Sequence, residues 1–297
     1  MSGPNRNAFN EYGRLRTVAV KHPREAFRDQ ATLDEQWSVH GFTARPDFDV
    51  ACRQYDGFLE VLAAHGAEFV HLPPDGTTTI DSIYARDASL VAPPGVLLAS
   101  MGKQLRRPEA DAQGRAFEAL GAPWSTVAGR IDPPGWLEGG DVVWVDRATV
   151  VVGRGYRTNA EGVRQLRAHL GPAVEVMEVP LPHWRGPGDV MHLMSLISPV
   201  DAELAVVYSP LLPVPFRAWL LARGMTLVET PGDEFESMGT NVLALAPRQC
   251  VMLTGNPRTR VALERAGAAV VEYEGSEISV KGGGGPTCLT RPLLREA

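Results

Sequence analysis

The chain is 297 residues long, 44% hydrophobic and carries a formal charge of −6. That is enough for one large folded unit, or two ordinary ones, with a sizeable buried core. Its acidity lacks the basic footprint of polyanion binding, so no nucleic-acid partner is expected, whereas a cationic small ligand fits. Nowhere do about 18 uncharged apolar residues run together, and the first seven residues hold no apolar stretch of signal-peptide length. No membrane association and a cytoplasmic location are therefore expected. Cys52, Cys250 and Cys288 are odd in number and far apart, which fits a reducing compartment with neither a disulfide framework nor a zinc site.

In chain order, Arg16–Val20 reads as a first strand. The connection from Lys21 to Pro46 has weak periodicity and is a candidate lid, because long loops without structure of their own often cover active sites. Phe48, Cys52, Tyr55, Phe58, Leu59 and Leu62 then recur at helical spacing up to Gly66, followed by a strand-like Ala67–Leu72. Four further units repeat this order with a hairpin-like apolar pair in front. The pairs are Ser89–Ser100, Val142–Val152, Leu196–Tyr208 and Val242–Leu253. The helices run from Pro108 through Phe117 and Leu120 to Gly121, and from Asn159 as N-cap through Val163, Leu166 and Leu170 to Gly171. The last two carry Phe216, Trp219 and Leu220 before Gly224, and Val261 and Leu263 before Gly267. A glycine just past each helix can take the left-handed conformation that ends it.

The first helix has only one strand before it, and the chain ends with an unmatched strand, Cys288–Leu294. Pairing the two would complete the first unit and close a ring. The reading is a single α/β domain over 1–297, built of five ββαβ modules around an axis; a conventional α/β sandwich is the competing layout.

In such a ring, loops from different modules converge on the axis, so reactive groups belong at module junctions. Cys288 follows four glycines, Gly282–Gly285, a run tolerable where backbone passes very close to something or takes positive φ. Glu138, in Leu137-Glu138-Gly139-Gly140-Asp141, sits in a tight turn that aims carboxylates at one point. Asp81 and Asp87 open the second module, and His192 stands at the mouth of the fourth. Each alone reads as an ordinary turn or polar residue, as do His22, His40, His65, His71, His169 and His183. Together, Cys288, His192, Glu138 and Asp87 occupy equivalent junctions. Met191 and Met194 read as core, as do Cys52 and Cys250. Arg106 and Arg157 read equally well as surface arginines beside helices.

These residues resemble the guanidine-modifying (amidinotransferase, or pentein) superfamily, and within it most closely the dimethylarginine dimethylaminohydrolases. The resemblance covers nearly the whole chain and implies a five-bladed α/β propeller, in agreement with the repeat. It puts the catalytic nucleophile on Cys288, the general acid/base on His192 and the guanidinium-holding carboxylates on Asp87 and Glu138. It also puts α-carboxylate-holding arginines on Arg106 and Arg157, and a further pocket aspartate on Asp81. No metal and no organic cofactor are implied. Arginine deiminases and amidinotransferases carry an aspartate two places after the histidine; here that place is Met194, as it is non-acidic in the dimethylarginine hydrolases. The expected reaction is hydrolysis of a substituted guanidino acid, such as an N-methylated arginine, through a covalent S-alkylthiouronium. Deimination of unsubstituted arginine, amidine transfer and a non-enzymatic role like that of a ribosome-associated initiation factor of this fold are the alternatives. A homo-oligomer stays open.

Overall fold

In the computed structural model, which describes residues 7–121, 127–189 and 191–297, the chain forms fifteen strands in five three-stranded sheets. The first module holds β1 (Arg14–Val20), α1 (Pro23–Ala26), α2 (Gln30–Gln36), α3 (Phe48–Ala64) and β2 (Glu68–His71). The second holds β3 (Ser89–Ala92), β4 (Gly95–Leu98), α4 (Pro108–Leu120) and β5 (Val127–Arg130). The third holds β6 (Val142–Asp146), β7 (Thr149–Arg154), α5 (Ala160–Leu170) and β8 (Glu175–Pro180). In the fourth are β9 (Ile197–Asp201), β10 (Leu204–Val207), α6 (Val214–Ala222), β11 (Thr226–Glu229) and the one-turn α7 (Gly232–Phe235). The fifth comprises β12 (Leu243–Ala246), β13 (Gln249–Leu253), α8 (Pro257–Arg265) and β14 (Ala269–Tyr273), after which β15 (Thr290–Glu296) ends the chain.

Four sheets repeat one pattern: an antiparallel hairpin, then a crossover helix that returns a parallel third strand. The expected ring closure is present. β15 pairs antiparallel with β1, Arg14 opposite Glu296 and Val20 opposite Thr290, and β1 pairs parallel with β2. The protein is thus a five-bladed α/β propeller of ββαβ modules with pseudo-fivefold symmetry.

Local sequence explains the pattern. Val150, Val151 and Val152 of β7 are all fully buried, the continuous β-branched run of a strand covered on both faces. By contrast β2 and β5, third strands at the rim, hold no fully buried residue. Asn159 caps α5 by accepting from the Gly162 N–H at 2.8 Å, and Asp47 caps α3 through Val50 N–H at 2.8 Å. The five helix-ending glycines, Gly66, Gly121, Gly171, Gly224 and Gly267, all have φ between 72° and 86°.

Two expectations are corrected. The final strand begins at Thr290, so Cys288 lies in the turn ahead of it rather than in the strand. The Lys21–Pro46 connection is not structureless, since it contains α1 and α2 and buries Phe27, Leu33 and Phe42 in the largest apolar cluster. Burying three such side chains stabilises the connection by several kcal/mol, while His40 and Gly41 of the same connection line the cavity described below. Val190, two residues before His192, and residues 1–6 lie outside the described residues.

Candidate active site

The repeat places one polar side chain per module at the same end of the propeller. Asp87, Asn241 and Cys288 each lie two residues ahead of β3, β12 and β15, while Glu138 and His192 lead the 3-10 turns that feed β6 and β9. Four of the five were expected. Asn241 was missed, although its position two residues before a hairpin strand is the one that Asp87 and Cys288 occupy in their own modules.

One cavity receives Cys288, His192, Asp87, Asp81, Arg106 and Arg157, six of the seven predicted residues. The seventh, Glu138, is fully buried behind His192 and accepts its Nε2–H at 2.7 Å. Asp87 Oδ1 lies 3.9 Å from His192 Nδ1 and accepts the Gly140 N–H at 3.0 Å. A Cβ on Gly140 would sit 2.6 Å from His192 Nδ1 and 2.9 Å from Asp87 Oδ1, which is why that turn carries glycine. Asp141, also fully buried, accepts from Thr158 Oγ1 at 2.6 Å and Leu193 N–H at 2.9 Å. It thereby fixes the backbone next to His192.

The glycine run before Cys288 passes against side chains. A Cβ on Gly282 would collide with the Tyr84 hydroxyl and one on Gly284 with the Tyr84 ring, one on Gly285 would sit 2.5 Å from Asn241 Oδ1, and Gly283 has φ +76°. Asn241 holds this loop by accepting the N–H and hydroxyl of Thr287 at 3.1 and 2.9 Å, and its amide points at Cys288 Sγ, 3.6 Å away.

The electrostatics set the resting protonation. Burial, then the negative charge of Asp87, pushes the Cys288 thiol up to about 11. Burial alone would lower His192, but Asp87, the Glu138 hydrogen bond and Asp141 outweigh it and hold the imidazole above its ordinary value. Glu138 shows the complement: burial would raise it, and His192, Arg157 and Arg106 draw it down. At neutral pH the site therefore rests as a neutral thiol beside an imidazolium. Such an imidazolium is a ready acid and has no capacity to take the thiol proton.

Arg106 stands differently from the expectation. Its guanidinium donates to Glu109 through Nε and Nη2 at 2.9 and 2.8 Å, to Asp87 at 2.7 Å and to the Tyr84 carbonyl at 3.1 Å. It clamps Asp87 and offers no open fork to an incoming carboxylate. Arg157 is less committed: it lines the cavity, and its Nη1, buried 3.7 Å from Glu138 Oε1, has no hydrogen-bond partner among the described residues. Lys103, which was also missed, reaches the cavity and donates to Asp81 at 2.6 Å. His40, expected to be an ordinary polar residue, binds the same Asp81 carboxylate at 2.9 Å and lines the cavity. Burial would raise Asp81, but His40, Arg106 and Lys103 hold it down at about 2.

One ligand atom each from Asp87, Glu138 and His192 falls within 4.8 Å of the others, a spacing a metal cation could use. Each group already has an internal partner, however, and the mixture of acids with Arg106 and Arg157 suits a flat, delocalised cation that can share carboxylates by hydrogen bonding.

The family model for "N,N dimethylarginine dimethylhydrolase, eukaryotic" matches residues 38–295. The chain belongs to this family. The dimethylarginine hydrolase-family protein is accordingly a hydrolase acting on guanidino C–N bonds. It is 31% identical to an N(G),N(G)-dimethylarginine dimethylaminohydrolase of Streptomyces coelicolor, over 89% of this chain and 93% of that one. It is also 27% identical to an arginine deiminase of Mycobacterium marinum, over 89% of this chain and 72% of that one. Its fold matches a solved DDAH of Pseudomonas aeruginosa, complexed with citrulline, at TM-score 0.74 and 24% identity, over 95% and 99% of the two chains. No described helix of the dimethylarginine hydrolase-family protein is long and apolar enough to cross a membrane.

Proposed function

We propose that the protein hydrolyses a substituted guanidino acid, such as an N-methylated arginine, to a ureido product and an amine, with Cys288 as nucleophile and His192 as acid and then base. The observation that carries this reading is the shared cavity of Cys288, His192 and Asp87 with Met194 on its wall. Met194 is buried in the apolar cluster shared by the third and fourth modules and accepts no charge-assisted hydrogen bond, so a nitrogen bearing methyl groups meets a soft apolar surface there.

The substrate cation enters with its guanidinium against Asp87 and its carboxylate toward Arg157, and the amino group finds Asp81. Its positive charge draws the thiol proton off to solvent. The Cys288 thiolate then adds to the central carbon, giving a neutral tetrahedral adduct. The His192 imidazolium donates its proton to the substituted nitrogen, the C–N bond breaks, and the amine leaves an S-alkylthiouronium on Cys288. His192, now neutral, takes a proton from water as the oxygen bonds to carbon. Collapse breaks the C–S bond, the hydroxyl proton passes to sulfur, and thiol and imidazolium are restored. Glu138 keeps the imidazole charged and oriented through the first half of this cycle.

Arginine deimination is the second reading, favoured by the 27% identity to an arginine deiminase over most of the chain. The two separate by product: dimethylamine or methylamine against ammonia. For the mechanism, Cys288→Ser is expected to abolish turnover while binding continues, and intact-mass spectrometry of rapidly quenched wild type is expected to show an adduct on the peptide holding Cys288. A Cys288→Ser protein with ordinary turnover would overturn the nucleophile assignment.

A further inference from the structure

Away from the catalytic cavity, where β15 and the turn before β3 meet residues 7–13, three arginines lie in the interior beside a single acid. Arg86, Arg291 and Arg295 are 1%, 5% and 2% exposed, and they line a second, small cavity together with Glu11, Phe9 and Trp144. Among the described residues only Arg86 has a salt-bridged carboxylate partner, Glu11 at 2.7 Å. Arg295 Nη1 is spent on the carbonyls of Gly13 and Ala244, at 2.6 and 2.9 Å, and Arg291 Nη2 on the Arg86 carbonyl. Arg86 Nε and Nη1, Arg291 Nε, and Arg295 Nε and Nη2 have no acceptor among the described residues.

Three guanidinium charges against one paired carboxylate, with Asp87 acting on Arg291 only through space, leave this part of the interior net positive. A lysine so placed could shed its proton; a guanidinium does not. Water could accept from the idle N–H groups but would leave the charge standing, whereas an anion answers both demands at once. Planar guanidinium donors match the geometry of an oxyanion better than that of a spherical halide.

We propose that this axial cavity is an anion site that holds one inorganic oxyanion, phosphate or sulfate, against Arg86, Arg291 and Arg295. The crowding points the same way: burial, followed by the charge of Arg86, holds Arg291 below its ordinary range, and burial holds Arg295 down at about 10. The site shares no lining residue with the catalytic cavity. Its arginines nevertheless belong to the same stretches of backbone. Arg86 adjoins Asp87 and its N–H donates to the Cys288 carbonyl at 3.2 Å, and Arg291 lies three residues beyond Cys288. An anion there would tie together the two segments that carry the carboxylate and the thiol.

The test is calorimetric titration of the full chain with phosphate, and separately with sulfate, in chloride buffer at constant ionic strength. Saturable one-to-one binding is expected, with a rise in melting temperature that follows occupancy. Arg157→Ala removes the less committed guanidinium of the catalytic cavity and is expected to leave this binding unchanged. Arg295→Met removes one charged donor and is expected to weaken binding about tenfold or more. Glu11→Gln removes the sole competing acid and is expected to tighten it, an arm that decides the matter even if Arg295→Met fails to fold. Absence of saturable heat at millimolar oxyanion, loss of binding in Arg157→Ala, or weaker binding in Glu11→Gln would each overturn the proposal.

Discussion

The resting thiol provides the sharpest test of the chemistry. With Cys288 pushed up to about 11, only a minute fraction is thiolate at pH 7, so the free protein should show almost none of the thiolate absorbance near 240 nm that wild type would have in excess of Cys288→Ser. A bound guanidinium about 4 Å from the sulfur, at an effective dielectric near 20, stabilises the thiolate by on the order of 4 kcal/mol, equivalent to about 3 pH units. It also neutralises Asp87, the charge that helps hold the thiol up. Titrating the absorbance difference with and without methylguanidinium, which lacks the rest of an amino-acid substrate, should therefore move the midpoint from near 11 to about 8. A free protein already fully thiolate at pH 7, or a midpoint that ignores the ligand, would refute activation by the substrate and require a base that the site does not display.

Three other outcomes follow from the same geometry. Met194→Asp should raise kcat/KM for unsubstituted arginine relative to its dimethylated form by about 10- to 100-fold, the worth of one charge-assisted hydrogen bond, read as ammonia against dimethylamine; placing an acid among the buried apolar groups of the third and fourth modules should lower the melting temperature. Gly140→Ala drives a methyl group into His192 and Asp87, so kcat should fall by at least about 100-fold while circular dichroism stays that of the wild type. In urea titrations at varied pH, Asp81, held down at about 2 from an ordinary 3.8, should contribute about 2 kcal/mol of stability that is present above pH 3.8 and lost as pH falls through 2; Asp81→Asn should flatten that limb. His192 has the opposite sign: its raised value gives stability that is complete below pH 6.5 and is lost as pH rises through the folded value.

The architecture was legible because each level of the sequence repeats it. Helical spacing and a glycine at each helix end recur five times and apolar hairpins four times, and the unmatched strand at each end of the chain demanded closure. The site was legible where a residue type is rare enough to mean something at a junction, as with Cys288 and His192. Asn241 escaped because asparagine before a strand also reads as an ordinary turn residue. His40 and Lys103 escaped for a different reason: they come from a connection and a loop outside the repeat, and only the folded chain carries them to Asp81. The clamp on Asp87 was equally hidden. Arg106 and Arg157 look alike in sequence, and the difference between a saturated guanidinium and a less committed one lies wholly in the neighbours that folding supplies.

The pairing of β1 with β15 joins residues some 280 positions apart, Arg14 to Glu296. Contacts that distant carry a large loop-closure entropy and form late, whereas each hairpin and helix can condense within its own module. During refolding, helical signal should therefore recover before catalysis, because the sulfur meets the imidazole only once the last sheet has shut.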